Sequence, residues 1–116
     1  VKIRYSDCFL HKNREFETVF QDGMRFYEGG LMLWALLHSD SPPRLGFVVS
    51  KKRGKAHERN TFRRRVRAWF LRTLPRFKTG GWFILLPTQA VNEFSSSDLS
   101  RILYRLFQKA GALSPE

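Results

Sequence analysis

The chain has 116 residues, 42% of them hydrophobic, which leaves room for one packed core and excludes a wholly disordered basic tail. Its 21 Lys and Arg stand against 10 Asp and Glu, a net charge of +11 that asks for a polyanionic partner. The single cysteine, Cys8, excludes an intrachain disulfide scaffold, and the longest apolar run, Leu31–Leu37, is far too short to span a membrane. No apolar stretch follows the basic start, so no signal peptide is expected, and the chain reads as one soluble cytoplasmic domain over residues 1–116.

In chain order, Asn13 can cap a first helix that carries Phe16, Val19 and Phe20 on one face and stops at Gly23. Residues 25–28 can pair as a short strand. Residues 31–37 read as a strand; periodicity alone does not separate so short an apolar run from buried helix, but Gly29-Gly30 before it and the Ser-Asp-Ser-Pro-Pro stretch ending at Pro43 are turn chemistry. Residues 45–49 give another strand signal. A helix is expected from Glu58 to about Thr73, ended by Pro75, and a strand over 82–86 between Gly80-Gly81 and Pro87. Ser95 to Asp98 offers caps for a last helix with Leu99, Ile102, Leu103, Leu106 and Phe107 at helical spacing. With the short strand included, the order α-β-β-β-α-β-α describes a small α+β or α/β sandwich.

The charge is not spread along this pattern. Residues 44–78 contain thirteen basic residues and one acid, Glu58, a net +12, so the flanking segments are together close to neutral. A face that merely solubilises mixes its signs, whereas twelve uncompensated charges repel one another. A phosphate backbone explains them better. At 100° per residue, Phe62, Val66, Trp69 and Phe70 fall within an arc of about 100° and form a core stripe. Asn60, Arg63, Arg64 and Arg67 share the opposite side, while Arg65 and Arg72 border the stripe on its other edge. Arginine forks match phosphate oxygens two at a time. The preceding run from Ser50 to Lys55 is basic and contains Gly54, which allows close backbone approach.

The run from Ser50 to Arg67, with its Arg59-Asn60 pair, the Arg63-Arg64 that follows and the later Arg67, resembles the signature of the bacterial ribonuclease P protein subunit. Phe16, Phe20, Gly23 and Leu45-Gly46 fit the same family, so the resemblance spans most of residues 10–107. It implies a four-stranded sheet with a left-handed β-α-β crossover around the basic helix, as in the second domain of a small-subunit ribosomal protein. It implies that the catalytic RNA subunit binds Lys51, Lys52, Lys55, Arg59, Asn60, Arg63, Arg64 and Arg67, a set to which the chain adds Arg65. It further implies that the single-stranded 5′ leader of precursor tRNA lies in a cleft at Phe16, Phe20 and Trp34, with Arg59, Asn60 and Arg67 on its border. Two positions depart from the family pattern: Thr61 stands where an arginine is usual, and Arg65 where an apolar residue is usual. They are i, i+4 neighbours, so Arg65 can reach back one turn into the region that the usual arginine fills.

Read without the resemblance, Phe16 and Phe20 would be ordinary core, Trp34 either core or cleft, and Trp69 and Trp82 core. His11, His38 and His57 are scattered, and with Cys8 they form no metal or thiol-nucleophile pattern. Hydrolysis of a phosphodiester needs a positioned acid and base or carboxylate-held Mg²⁺. The basic region offers only Glu58 and its neighbour His57, so no catalytic side chain is expected here. Mg²⁺ is expected on the RNA subunit and substrate. The leading reading is a non-catalytic protein component of an endoribonuclease that matures tRNA 5′ ends, with no membrane and no obligate protein partner. A structural RNA-binding protein of ribosomal type, or a stand-alone nuclease, would have the same charge.

Overall fold

The computed structural model describes residues 5–115. Its elements are α1 (Asn13–Asp22), β1 (Met24–Glu28), β2 (Leu31–Leu37), β3 (Pro43–Phe47), α2 (Ala56–Thr73), β4 (Gly81–Pro87) and α3 (Ser96–Lys109), with short 3-10 turns between several of them. The strands form one mixed sheet in the order β1-β2-β4-β3. β1 pairs antiparallel with β2, and β2 with β4, whereas β3 runs parallel to β4. A parallel pair needs a crossover, and α2 supplies it.

Both faces of the sheet are covered, which is why β2 and β4 read as unbroken apolar runs rather than as alternation. Along β2, Leu31, Leu33 and Ala35 point to one face and Met32, Trp34 and Leu36 to the other. The first face joins Leu45, Phe83 and Leu85 and packs under α2 and α3 through Phe62, Val66, Trp69, Phe70, Leu103 and Phe107. Phe70, Phe83 and Phe107 are wholly buried there, and truncating any of them should cost about 3–5 kcal/mol. On the second face, Val19 of α1 meets Leu10 and Ile84, with Phe16, Trp34, Leu36 and Trp82 half-buried around them.

β1 begins at Met24 rather than 25 and β4 spans 81–87 rather than 82–86, and three further differences from the sequence expectation have clear causes. Asn13 is not the cap of α1: Lys12 holds that position, and the Glu15 carboxylate accepts from the backbone N–H groups of His11 and Lys12, both at 2.9 Å. β3 occupies 43–47 rather than 45–49, because its register is set by pairing Pro43 with Gly81 and Phe47 with Leu85. α2 begins at Ala56, two residues before Glu58, whose carboxylate turns back to accept from the Lys55 N–H at 2.8 Å. The last helix is capped as expected, with Ser95 Oγ accepting from the Asp98 N–H at 3.2 Å.

Candidate nucleic-acid interface

The approach to α2 is a 3-10 turn, Lys51–Arg53, capped by Ser50 Oγ on the Lys52 N–H at 3.1 Å. Gly54 follows with φ at +154°, and a Cβ there would press on Val91 and Glu58, so the tight entry into α2 requires glycine. Glu58 fixes the entry from the other side, accepting from Asn92 Nδ2 at 3.0 Å. The Lys55 N–H, Asn92 and the nearby His57 and Lys55 charges hold its carboxyl below the ordinary range against a smaller opposing effect of burial. The one acid in the basic segment is thus committed to structure. Lys51, Lys52 and Lys55 are left exposed around it.

On α2, Asn60, Arg64 and Arg65 are exposed, while Arg59, Arg63 and Arg67 are half-buried. The half-burial refines the wheel, which grouped Arg63 and Arg67 with Asn60 and Arg64 on the side opposite the core, although Arg63 falls only about 20° beyond Phe70. The segment ahead of α1 lies alongside β3, with Phe9 bridged to Leu45 and the Leu10 N–H donating to Leu45 O at 2.8 Å, and it rises beside this flank of the helix. The Arg67 guanidinium sits 5.5 Å from the Phe9 ring centre and 5.3 Å from that of Phe47. Arg59 Nε donates to Gly54 O at 3.1 Å, and Arg63 Nη1 donates to Asn60 Oδ1 at 3.1 Å. Burial and the like charges of Arg59 and Arg67, one turn away on either side, hold Arg63 below the ordinary arginine range. Three guanidinium groups stacked in this way are stabilised by an anion laid across them.

Arg63 and Arg67 also form one wall of a recess of about 160 Å³ whose other walls include Phe16, His11 and Gly46. Gly46 is bare for a reason: a Cβ there would lie 2.7 Å from Cζ of Phe16 and 3.2 Å from Cβ of Leu10. The missing side chain is what seats the Phe16 ring against the sheet. One turn on, Phe20 is 37% exposed and meets Trp34 edge to face at 5.2 Å between ring centres. The Arg25 guanidinium from β1 lies 5.7 Å from the centre of the Trp34 ring. The recess beside Phe16 therefore opens directly onto the arginine flank of α2, with the Phe20–Trp34 contact one turn further along α1.

Of the residues singled out in the sequence, Phe16, Arg63 and Arg67 converge on one recess, and Phe20 with Trp34 forms the adjoining aromatic edge. Trp34 is half-buried against the cluster of Leu10, Val19 and Ile84, with the Phe20 ring and the Arg25 guanidinium against its own ring. Trp69 is in the main core, as expected, whereas Trp82 is half-buried under α1 with Arg44 5.9 Å above its ring. Lys51, Lys52, Lys55 and Arg64 are exposed and do not line that recess, and neither do Arg59 and Asn60, which were expected on its border. Sequence reasoning missed Phe9, Phe47, His11 and Arg25, whose roles arise from contacts across the sheet. The aromatic of the Cys8-Phe9-Leu10 run next to a polar linker was the available signal.

Fold and surface together define a small α+β domain that presents a dense arginine helix beside a recess walled by Phe9, Phe16 and Phe47. The profile of the Ribonuclease P family matches residues 6–111, and the chain belongs to that family. It is 31% identical over 105 residues to the ribonuclease P protein component of Geobacillus kaustophilus strain HTA426, covering 90% of this chain and 87% of that one. It is 32% identical over the same length to that of Geobacillus thermodenitrificans strain NG80-2, with the same coverage. Among solved structures, an RNase P protein mutant from Staphylococcus aureus superposes with a TM-score of 0.84 at 21% identity, over 93% of this chain and 92% of that one. The Thermotoga maritima RNase P protein in complex with 1-(4-fluorophenyl)-2-thiourea superposes with a TM-score of 0.78 at 24% identity, over 86% and 97%. Membership makes the chain the protein component of a ribonuclease P complex, a ribonucleoprotein of tRNA processing.

Proposed function

We propose that the chain binds the catalytic RNA of ribonuclease P through Lys51, Lys52, Lys55 and the α2 residues Arg59, Asn60, Arg63, Arg64, Arg65 and Arg67, and that it receives the 5′ leader of precursor tRNA in the cleft of Phe16, Phe20 and Trp34. The observation that carries this reading is the shared wall: Arg63 and Arg67 border both the basic helix and the aromatic recess. One protein surface can therefore touch a structured RNA and a single strand at once. Two polyanions brought together repel, and a net +12 segment between them lowers that repulsion and the demand for Mg²⁺. Bases of the leader stacked on Phe20 and Trp34 would each contribute about 1–3 kcal/mol, a gain available to precursor and not to mature tRNA.

The chain supplies binding and orientation rather than bond-making groups. Among the described residues no three of His, Cys, Asp and Glu come together in a way that could hold a metal ion. Mg²⁺ held by the RNA subunit and substrate would supply the Lewis-acid and nucleophile-activating chemistry of hydrolysis. Precursor tRNA incubated with the RNA subunit at low Mg²⁺, with and without this protein, tests the reading. Cleavage that is strongly accelerated by the protein, with none by the protein alone, is expected. No effect on the RNA's activity would refute it, and cleavage by the protein alone would make it a nuclease in its own right.

A further inference from the structure

The helix α2 has a second basic flank, and it faces α3. The two helices run in the same sense: Phe62 meets Phe94 just ahead of α3, and Trp69 meets Phe107 near its end. Between them runs a furrow. A recess of about 200 Å³ beside Thr61 and Arg65 joins one of about 170 Å³ lined by Arg65, Arg72, Ser96 and Ser100, the two sharing Arg65 and Leu99. Trp69 and Ser100 then carry it on towards Tyr104, whose ring has Arg76 5.7 Å above it.

Arg65 and Arg72 are exposed and make no ion pair among the described residues. Of the acids around the furrow, Glu58 lines the first recess and is held by the Lys55 N–H and Asn92, and Glu93 stands exposed just ahead of α3. Asp98 pairs with Arg101 at 2.8 Å, and Glu28 pairs with Lys109 at 2.6 Å and with Arg105 at 3.7 Å. Two uncompensated guanidinium groups, two turns apart and so about 10 Å along the axis, thus stand on one wall of a groove with serine hydroxyls on the other. That spacing suits separate phosphates of one strand. Hydroxyls opposite arginines are the usual donors to phosphate and sugar oxygens.

We propose that this furrow holds a strand of the catalytic RNA subunit, with phosphates on Arg65 and Arg72 and sugar or phosphate oxygens on Ser96 and Ser100. This rests on the reading that α2 binds that RNA, and extends it: α2 is clasped on both flanks, Arg59, Arg63 and Arg67 on the cleft side and Arg65 and Arg72 on the α3 side. The cleft side borders the leader, whereas the furrow lies across the helix from it. The furrow's occupant is therefore the RNA subunit and not the substrate.

The test is directed cleavage in the reconstituted holoenzyme. An iron–EDTA probe is tethered at Ser100→Cys and, separately, at Lys52→Cys, with the unsubstituted chain treated alike to register any label on the buried Cys8. Cuts in one segment of the RNA subunit from Ser100→Cys, distinct from those from Lys52→Cys, are expected. Cuts from Lys52→Cys alone would overturn the furrow while leaving the proposed function intact. Cuts in the precursor tRNA from Ser100→Cys would overturn the choice of occupant, and silence from both positions would refute the function and the furrow together. In parallel, Arg72→Ala should weaken RNA-subunit binding about fivefold and reduce the salt slope by nearly one unit, with Arg72→Lys recovering most of the loss. An unchanged affinity in Arg72→Ala would count against the furrow.

Discussion

The recess beside Phe16 exists only while α1 is held on the sheet, and beside the packing of Val19 and Phe16 it is Glu15 that supplies the polar anchor. Its Oε1 accepts from two backbone N–H groups at the start of α1, and its Oε2 receives Arg44 Nη1 at 2.7 Å. Arg44 in turn donates to Phe9 O at 2.8 Å, tying α1, β3 and the segment ahead of α1 into one unit. Burial pushes the Glu15 carboxyl up, but the N–H groups of Lys12 and His11 and the Arg44 guanidinium outweigh it and bring the pKa from 4.5 to about 2. A depression of that size corresponds to about 3 kcal/mol in full, and screening by nearby solvent reduces it to about 1–2 kcal/mol. Because the folded-state value is the lower one, this stabilisation is complete above the unfolded pKa of 4.5 and is lost as pH falls towards 2. Glu15→Gln should therefore lower stability by about 1–2 kcal/mol near neutral pH, and the difference from wild type should shrink through that acid window. Urea unfolding of both proteins at a series of pH values reads it. Glu28 and Glu58 also titrate below the ordinary range, but they do so in both proteins and cancel in the difference. Parallel pH profiles with no difference at neutral pH would refute the role given to Glu15.

Four further outcomes follow from the same geometry. If the basic surface neutralises about six phosphates, RNA-subunit affinity should fall with salt at a log–log slope near −4, and a measured slope shallower than about −1 would remove that surface from the interface. Phe20→Ala should weaken precursor tRNA binding by about 1 kcal/mol more than mature tRNA binding, and equal losses with an intact fold would return Phe20 to the core. Gly46→Ala should drive the Phe16 ring off its seat, cost about 1–3 kcal/mol in thermal or urea unfolding, and reduce the preference for precursor tRNA; wild-type stability would show that the ring has room to move. Thr61 and Arg65 line one recess, with Thr61 Oγ1 donating to His57 O at 2.9 Å, so in binding assays Thr61→Arg should restore most of the RNA affinity lost in Arg65→Ala. A double variant no better than Arg65→Ala would show that the two positions serve different contacts.

Local pattern made much of this protein legible. The stripe of Phe62, Val66, Trp69 and Phe70 faces the core as the helical period requires, the Gly-flanked run at 31–37 is a strand, and Ser95 starts the last helix. The concentration of charge between 44 and 78 needed only counting. Each of these depends on residues within a turn or two of one another, which is the range over which helical and strand periods act. What tertiary structure decided is which distant segments meet. β4 inserts between β2 and β3, so that Trp34, Ile84 and Gly46 fall in one row across the sheet although the middle one lies 50 and 38 positions from the outer two. The bare Gly46 then receives Phe16, and the Phe9 segment laid along β3 turns Arg63 and Arg67 from solvated ridge into half-buried wall. No periodicity within α2 encodes that change, because the partner that buries Arg67 lies 58 positions earlier in the chain and reaches it only through strand pairing.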